Sequence, residues 1–286
     1  MEAVLPLKIA GDYQEWDLDR ARMLVYSLGH WWRGGEPLKL HIVTQRESVA
    51  KVRDSLRADG VQIDLFAEGD LLPYLDDYPQ RSGFKQQLIK IGAHRIVTEP
   101  YFLTLDADII CCKPFDETSF LIDGKGIIDW EPRVHLWWPN SADWLRTVPN
   151  LDAPGMSVTP EYLSKEICAG LEGHLLALNG EEGWFRMLGA DKIWSEYSLY
   201  NLYAEKQKIL SDFHHDAEWS ALRAMGLRAQ YNVWDRQYES EDITRNFEKN
   251  ARGTFMVFQS NTHIPPQNIW GRVGKFFNGS PFPEKP

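Results

Sequence analysis

Strand-like and helix-like hydrophobic patterns alternate through the first 110 residues, and that alternation leaves the chain few architectures. Val4 to Ile9 reads as a strand, and from Leu18 to Trp32 the apolar residues recur at three and four, the spacing of one helix face. Leu38 to Val43 predicts a second strand, Glu47 to Leu56 a helix, and Val61 to Phe66 a third strand. Ser82 is placed to cap a helix over about Gly83 to Val97, and Tyr101 to Leu105 reads as a strand ending in Asp106-Ala107-Asp108. Strands separated by helices imply an α/β fold, a Rossmann-like, mostly parallel sheet with helices on both faces. Ligands of such sheets sit beyond the carboxyl ends of the strands, so chemistry is expected after Leu105.

Past Phe115 the pattern is mixed. A short strand is expected near Gly126 to Trp130, another at Met156 to Thr159, helices at Glu161 to Leu175 and Ser195 to Lys206, and a last strand at Thr254 to Gln259 before a Pro-Pro break. No repeat or linker divides the chain, so residues 1–286 are read as one domain whose C-terminal half is elaborated. Adjacent Cys111 and Cys112 with a solitary Cys168 rule out a disulfide framework. No apolar run approaches the roughly 20 residues that span a bilayer, and the N-terminus lacks a signal-peptide pattern, which predicts a cytoplasmic protein. The tail IWGRVGKFF mixes aromatic and basic residues; it suits peripheral membrane contact, and suits docking on the core better.

With 41 acidic and 31 basic side chains the formal charge is −10, which excludes sequence-independent nucleic-acid binding, since that rests on an excess of Lys and Arg. A phosphate-bearing ligand would need a counter-ion. Asp106 and Asp108 supply the means, because side chains at i and i+2 of an extended segment share a face and two carboxylates suit Mg²⁺ or Mn²⁺. The same pair also reads as a polar end to a strand.

The segment from Gly83 to Phe115, GFKQQLIKIGAHRIVTEPYFLTLDADIICCKPF, resembles the DxD region of GT-A-fold nucleotide-sugar glycosyltransferases. A polar helix with Lys85, Gln86, Gln87 and Lys90 precedes a hydrophobic strand, the acidic pair, and a Lys113-Pro114-Phe115 exit. HIVT at 41–44, GMSVT at 155–159, WSEYSLY at 194–200 and FQSNTHI at 258–264 are similar to segments of poorly characterised bacterial glycosyltransferase-like proteins. The resemblance implies a GT-A-like fold with a nucleotide-donor half at 1–115 and an acceptor half at 116–286. It implies that Asp108 binds the metal, that Asp106 contacts the donor ribose and the metal, and that Lys90 reaches the donor sugar or phosphates. It assigns Lys85, Gln86 and Gln87 to the donor-binding helix. Glu196, at the start of a helix in WSEY, takes the place of a base for the acceptor hydroxyl, ahead of Asp191; with Ser195 it also reads as a helix cap. His263, after the last strand, matches a third metal ligand, with His214 and His215 as competitors. Gln259 and Ser260 are placed to hydrogen-bond the donor or the product diphosphate.

Twelve tryptophans are many for such a chain, and Trp130, Trp137, Trp138, Trp144, Trp184 and Trp194 cluster in the middle. Aromatic planes pack on the C–H faces of sugars, so this stretch suits an acceptor cleft as well as an aromatic core. The expected function is therefore a metal-dependent glycosyltransferase of polysaccharide biosynthesis, moving a sugar from a UDP- or GDP-sugar to a glycan hydroxyl. Its rivals are a non-catalytic carbohydrate-binding protein, a nucleotidyltransferase, against which AGDYQEWD at the first turn lacks a phosphate loop, and a hydrolase built on Asp106, Asp108, His214 and His215.

Overall fold

The computed structural model describes residues 1–9, 16–76, 82–180, 183, 187, 193–223, 226–235 and 242–283. Strands β1 (Glu2–Leu7), β2 (Leu38–Thr44), β3 (Val61–Ala67) and β4 (Tyr101–Thr104) are mutually parallel in the order β3-β2-β1-β4. β1 is buried over its whole length, as a strand covered on both faces must be. Alternate residues serve opposite layers: Ala3, Leu5 and Leu7 pack with Leu24, Val25 and Leu28 of helix α1 (Asp17–Trp31), whereas Val4 packs with Leu88 and Ile91 of helix α2 (Ser82–Gly92). Glu2 is tolerated in that buried strand because its carboxylate accepts the Thr98 and Glu99 backbone N–H groups and the Thr98 hydroxyl, at 2.6–3.2 Å.

The chain leaves β1 toward β2 and β3 on one side and returns to β4 on the other. β1 and β4 therefore flank the topological switch point, and the crevice beyond their carboxyl ends is the expected ligand site. Asp106 follows β4 there. Immediately afterwards strand β5 (Ile109–Cys111) leaves the main sheet and pairs antiparallel with a C-terminal strand, Phe255–Val257. The acidic segment thus bridges two sheets.

Residues 161–175, expected to be one helix, divide. Glu161–Ser164 pairs antiparallel with β4 as the edge of the main sheet, and a helix, Lys165–Asn179, starts at Ser164, whose hydroxyl accepts the Ile167 N–H. Met156–Thr159 is irregular rather than a strand. Near 126–130 the expected strand shrinks to a Lys125–Gly126 hairpin arm and a separate Glu131–Pro132 pairing. The C-terminal tail packs inward: Ile269, Trp270, Val273 and Phe277 are buried against Met23 and Tyr26 of α1, which removes its apolar face from membrane contact. Among the described residues no helix is long and apolar enough to cross a membrane. All three thiols are buried and free.

Candidate active site

Asp106 is in irregular backbone after β4 and Asp108 in a turn, and both line one cavity of about 250 Å³. The C-terminal strand fixes Asp108: its carbonyl accepts the Phe258 N–H at 2.9 Å, and its Oδ2 accepts the Ser260 N–H at 2.8 Å. Burial, and then the neighbouring Asp106 carboxylate, push the Asp108 carboxyl up to about 7 against the pull of the Ser260 N–H and Arg20. Arg20 of α1 is itself buried; it pairs with Asp17 and donates to the Ser260 carbonyl at 3.3 Å.

From the other side α2 delivers Lys90, which is 3% exposed. Its ammonium donates to Thr159 Oγ1 at 2.7 Å and Glu196 Oε1 at 2.9 Å, and lies 5.2 Å from the centre of the Tyr197 ring. Asp106 Oδ1 is also 2.9 Å away; the contact is a charge pair without hydrogen-bond geometry, so that buried oxygen has no hydrogen bond. Burial alone would lower the Lys90 pKa, but Asp106 and then Glu196 outweigh it and hold the group well above its ordinary value. Glu196 opens helix α3 (Glu196–Gln207), whose cap Ser195 accepts the Tyr197 N–H and donates to Glu196 Oε2 at 3.3 Å. The Tyr197 hydroxyl bridges Thr104 and Thr159 at 2.8 and 2.9 Å. Four distant segments are thereby locked around one cation.

Among the described residues, two buried polar atoms on the wall of this cavity, Gln87 Oε1 and Ser157 Oγ, have no partner, and Asp106 Oδ1 has only its charge contact with Lys90. Unsatisfied buried groups cost roughly 1–3 kcal/mol each, so their concentration at one cavity marks a place where something else completes the bonding. The two adjacent carboxylates fit Mg²⁺ or Mn²⁺: they are hard oxygen donors, and their mutual repulsion, visible in the raised Asp108 carboxyl, is what a dication relieves. Among the described residues no group of three or more His, Cys, Asp or Glu is placed to hold a metal.

A second, wider cavity of about 820 Å³ adjoins the first, sharing Trp137, Val158, Trp234 and Gln259 with it. Trp130 and Trp137 line it, Trp137 stacking on His135 with ring centres 4.2 Å apart. On its floor Asp129 accepts the Leu227 and Arg228 N–H groups, and burial pushes its carboxyl up to about 6. Beside it Glu161 is wholly buried and held well above the carboxylate range by burial and then by Asp129.

The structure brings together Gln86, Gln87, Lys90, Asp106, Asp108, Glu196 and Gln259 around the small cavity. Lys85 points elsewhere, to Glu68 Oε2 at 2.9 Å and the Leu75 carbonyl at 2.5 Å, because a residue five positions before Lys90 falls on another face of the helix. Ser260 contributes its backbone N–H to Asp108 and is not among the residues lining the cavity. His263 is exposed with φ 53°, ending the Ser260–Thr262 turn in a left-handed conformation, and does not line the cavity. His214 is buried between the Tyr200 hydroxyl and the Gly126 carbonyl, and burial brings its pKa down to about 4 against the pull of that carbonyl, while His215 contacts the Ile122 carbonyl and stacks on Trp219. Neither lines the small cavity, which removes the basis for the hydrolase reading. Trp138 and Trp194 are fully buried and Trp144 packs against the core, so the aromatic cluster divides between cleft and interior. Trp184 and Asp191 lie outside the described residues.

Asp129 and Trp234 carry no sequence signal for this place, and Ser157, Thr159 and Tyr197 carry only their membership of GMSVT and WSEYSLY, which assigns them no role. Trp234 arrives because Val233 exchanges hydrogen bonds with Val257 and Gln259, at 2.9 and 2.8 Å, which sets its neighbour between the two cavities.

A family model described as a family of unknown function (DUF6492) matches residues 1–280. No curated protein sequence matches the chain. Among solved structures, the apo form of mouse xyloside xylosyltransferase 1 is similar with a TM-score of 0.52 at 16% identity, over 92% of this chain and 100% of that one. At such identity the likeness bears on the fold, an α/β architecture shared with a glycosyltransferase.

Proposed function

The chain belongs to the DUF6492 family, whose function is unknown, and from its site we propose that it is a metal-dependent glycosyltransferase, moving a sugar from a nucleoside diphosphate sugar to a hydroxyl of a glycan. The observation that carries this reading is the acidic pair beyond the carboxyl end of β4, at the switch point, facing a cavity with unsatisfied polar atoms.

Asp106 and Asp108 are the residues that would hold Mn²⁺ or Mg²⁺; such an ion, when bound, neutralises diphosphate charge as a Lewis acid. That role answers the charge of −10, which otherwise repels an anionic donor. Gln86, Gln87 and Gln259, which line the small cavity, offer amide hydrogen bonds to the donor. Lys90 fixes the spacing of Asp106 and Glu196 by contacting both at 2.9 Å. Glu196, held in one orientation by Lys90 and Ser195, is the carboxylate assigned to the acceptor proton, and the wider cavity with its Trp130, Trp137 and Trp234 walls receives the acceptor.

A thermal-shift screen of UDP, GDP and their sugars, with and without Mn²⁺, tests the reading, since a ligand of the native state raises apparent stability. One nucleotide should raise the melting temperature only with metal, and Asp108→Asn should abolish that shift. Failure of every nucleotide to shift the melt in Mn²⁺ would refute the proposal and leave a carbohydrate-binding protein as the surviving reading.

A further inference from the structure

The small cavity has a chemistry more specific than donor binding in general. Its volume, about 250 Å³, falls below the roughly 300–1,000 Å³ of sites that enclose drug-sized ligands, so it has room for one sugar ring rather than a whole nucleotide sugar. Among the described residues its charged lining consists of three carboxylates, Asp106, Asp108 and Glu196, against the single ammonium of Lys90, which is already shared between Asp106 and Glu196. Adding a dication to that lining brings its formal sum only to zero. These residues leave no positive charge over for an acidic sugar. Two of the unpartnered buried atoms, Gln87 Oε1 and Ser157 Oγ, are uncharged, and Ser157 is 4% exposed. An amide oxygen accepts a hydrogen bond and a hydroxyl both donates and accepts, which is the complement of a sugar's hydroxyl groups.

We infer that Ser157 and Gln87 select the transferred sugar, hydrogen-bonding its hydroxyls inside the small cavity, and that the sugar is uncharged, a neutral pentose or hexose rather than a uronic acid. This rests on the glycosyltransferase reading above. A site built around hydroxyl partners discriminates strongly against ligands lacking them, because its own groups are then stranded. Neither residue has a structural bond to lose, since neither of these atoms has a partner within the protein.

The test is calorimetric titration in Mn²⁺ of UDP, GDP, UDP-glucose, UDP-galactose, UDP-xylose, UDP-glucuronic acid and GDP-mannose into the wild type, Ser157→Ala and Gln87→Leu. The expected result is that one neutral nucleotide sugar binds more tightly than its free diphosphate. Each substitution should weaken that nucleotide sugar at least fivefold while changing the free diphosphate less than twofold, and Ser157→Ala should melt no lower than wild type. Equal weakening of sugar and diphosphate, or UDP-glucuronic acid binding as tightly as UDP-glucose, overturns this inference and leaves the proposed function standing. Absence of binding by either diphosphate removes the proposed function and this inference with it.

Discussion

Lys90 Nζ lies 2.9 Å from Glu196 Oε1, and both side chains are more than nine-tenths buried. A buried pair stabilises less through its mutual attraction than through the cost of leaving one member alone. Lys90→Met strands Glu196 and Asp106 and is expected to destabilise the protein by about 3 kcal/mol in urea unfolding. The double variant Lys90→Met, Glu196→Gln should recover part of that loss. If the single variant were as stable as wild type, the ammonium would have no structural share.

Glu196→Gln keeps the size of the side chain and removes its capacity to take a proton. Transfer should slow by roughly 100-fold or more, the usual contribution of a positioned base. Binding of the free nucleoside diphosphate should stay within about threefold, an outcome that steady-state rates and calorimetry separate.

Burial and the Asp106 carboxylate push the Asp108 carboxyl up to about 7 in the folded protein, from the ordinary 3.8 of an aspartate. Between those values the native state holds a proton that the unfolded chain has released, so this carboxyl's contribution to stability is lost as pH rises through 7. Relative to Asp108→Asn, the metal-free wild type should lose about 2 kcal/mol between pH 5.5 and 8. Stabilisation by Mn²⁺ should run the opposite way, growing over pH 6 to 8, because a ligand carboxyl must be ionised. A wild type and variant with parallel pH profiles would contradict the assignment.

Arg20 opposes the upward push on Asp108 while pairing with Asp17. Arg20→Met should move the Asp108 transition to higher pH and weaken Mn²⁺ binding about tenfold at pH 7, with much of the loss restored at pH 8.5. Equal weakening at both pH values would point to collapse of the Ser260 turn instead.

Trp234 stands between the two cavities. Trp234→Ala should weaken binding of an acceptor glycan about tenfold. Because the side chain is only partly buried, the melting temperature should fall by no more than a few degrees. Retained glycan affinity in a folded variant would move the acceptor elsewhere.

The architecture of the first 110 residues was legible because its strands obey a period of two and its helices one of 3.6: Ala3, Leu5 and Leu7 against Val4 is that rule in four residues. The acidic pair and Lys90 were legible because one segment carries both. What could not be read was long-range. GMSVT gives Ser157 no role by itself, and irregular backbone brings it to the cavity that Gln87 also lines. The helix expected at Glu161 failed for a related reason: β4 needed an edge partner, and pairing overrode local periodicity until Ser164 could cap a helix. His263 lies outside the small cavity, and from that segment it is Ser260 that reaches Asp108, through the main chain, a contact any residue with an N–H could make.

That contact joins positions 152 residues apart. The N–H that steadies Asp108 follows every strand of the parallel sheet in chain order. A polypeptide cut before Ser260 would carry all of that sheet's strands and still lack the contact that fixes the acidic segment, so a single cut separates the sheet from the finish of its carboxyl-end loop.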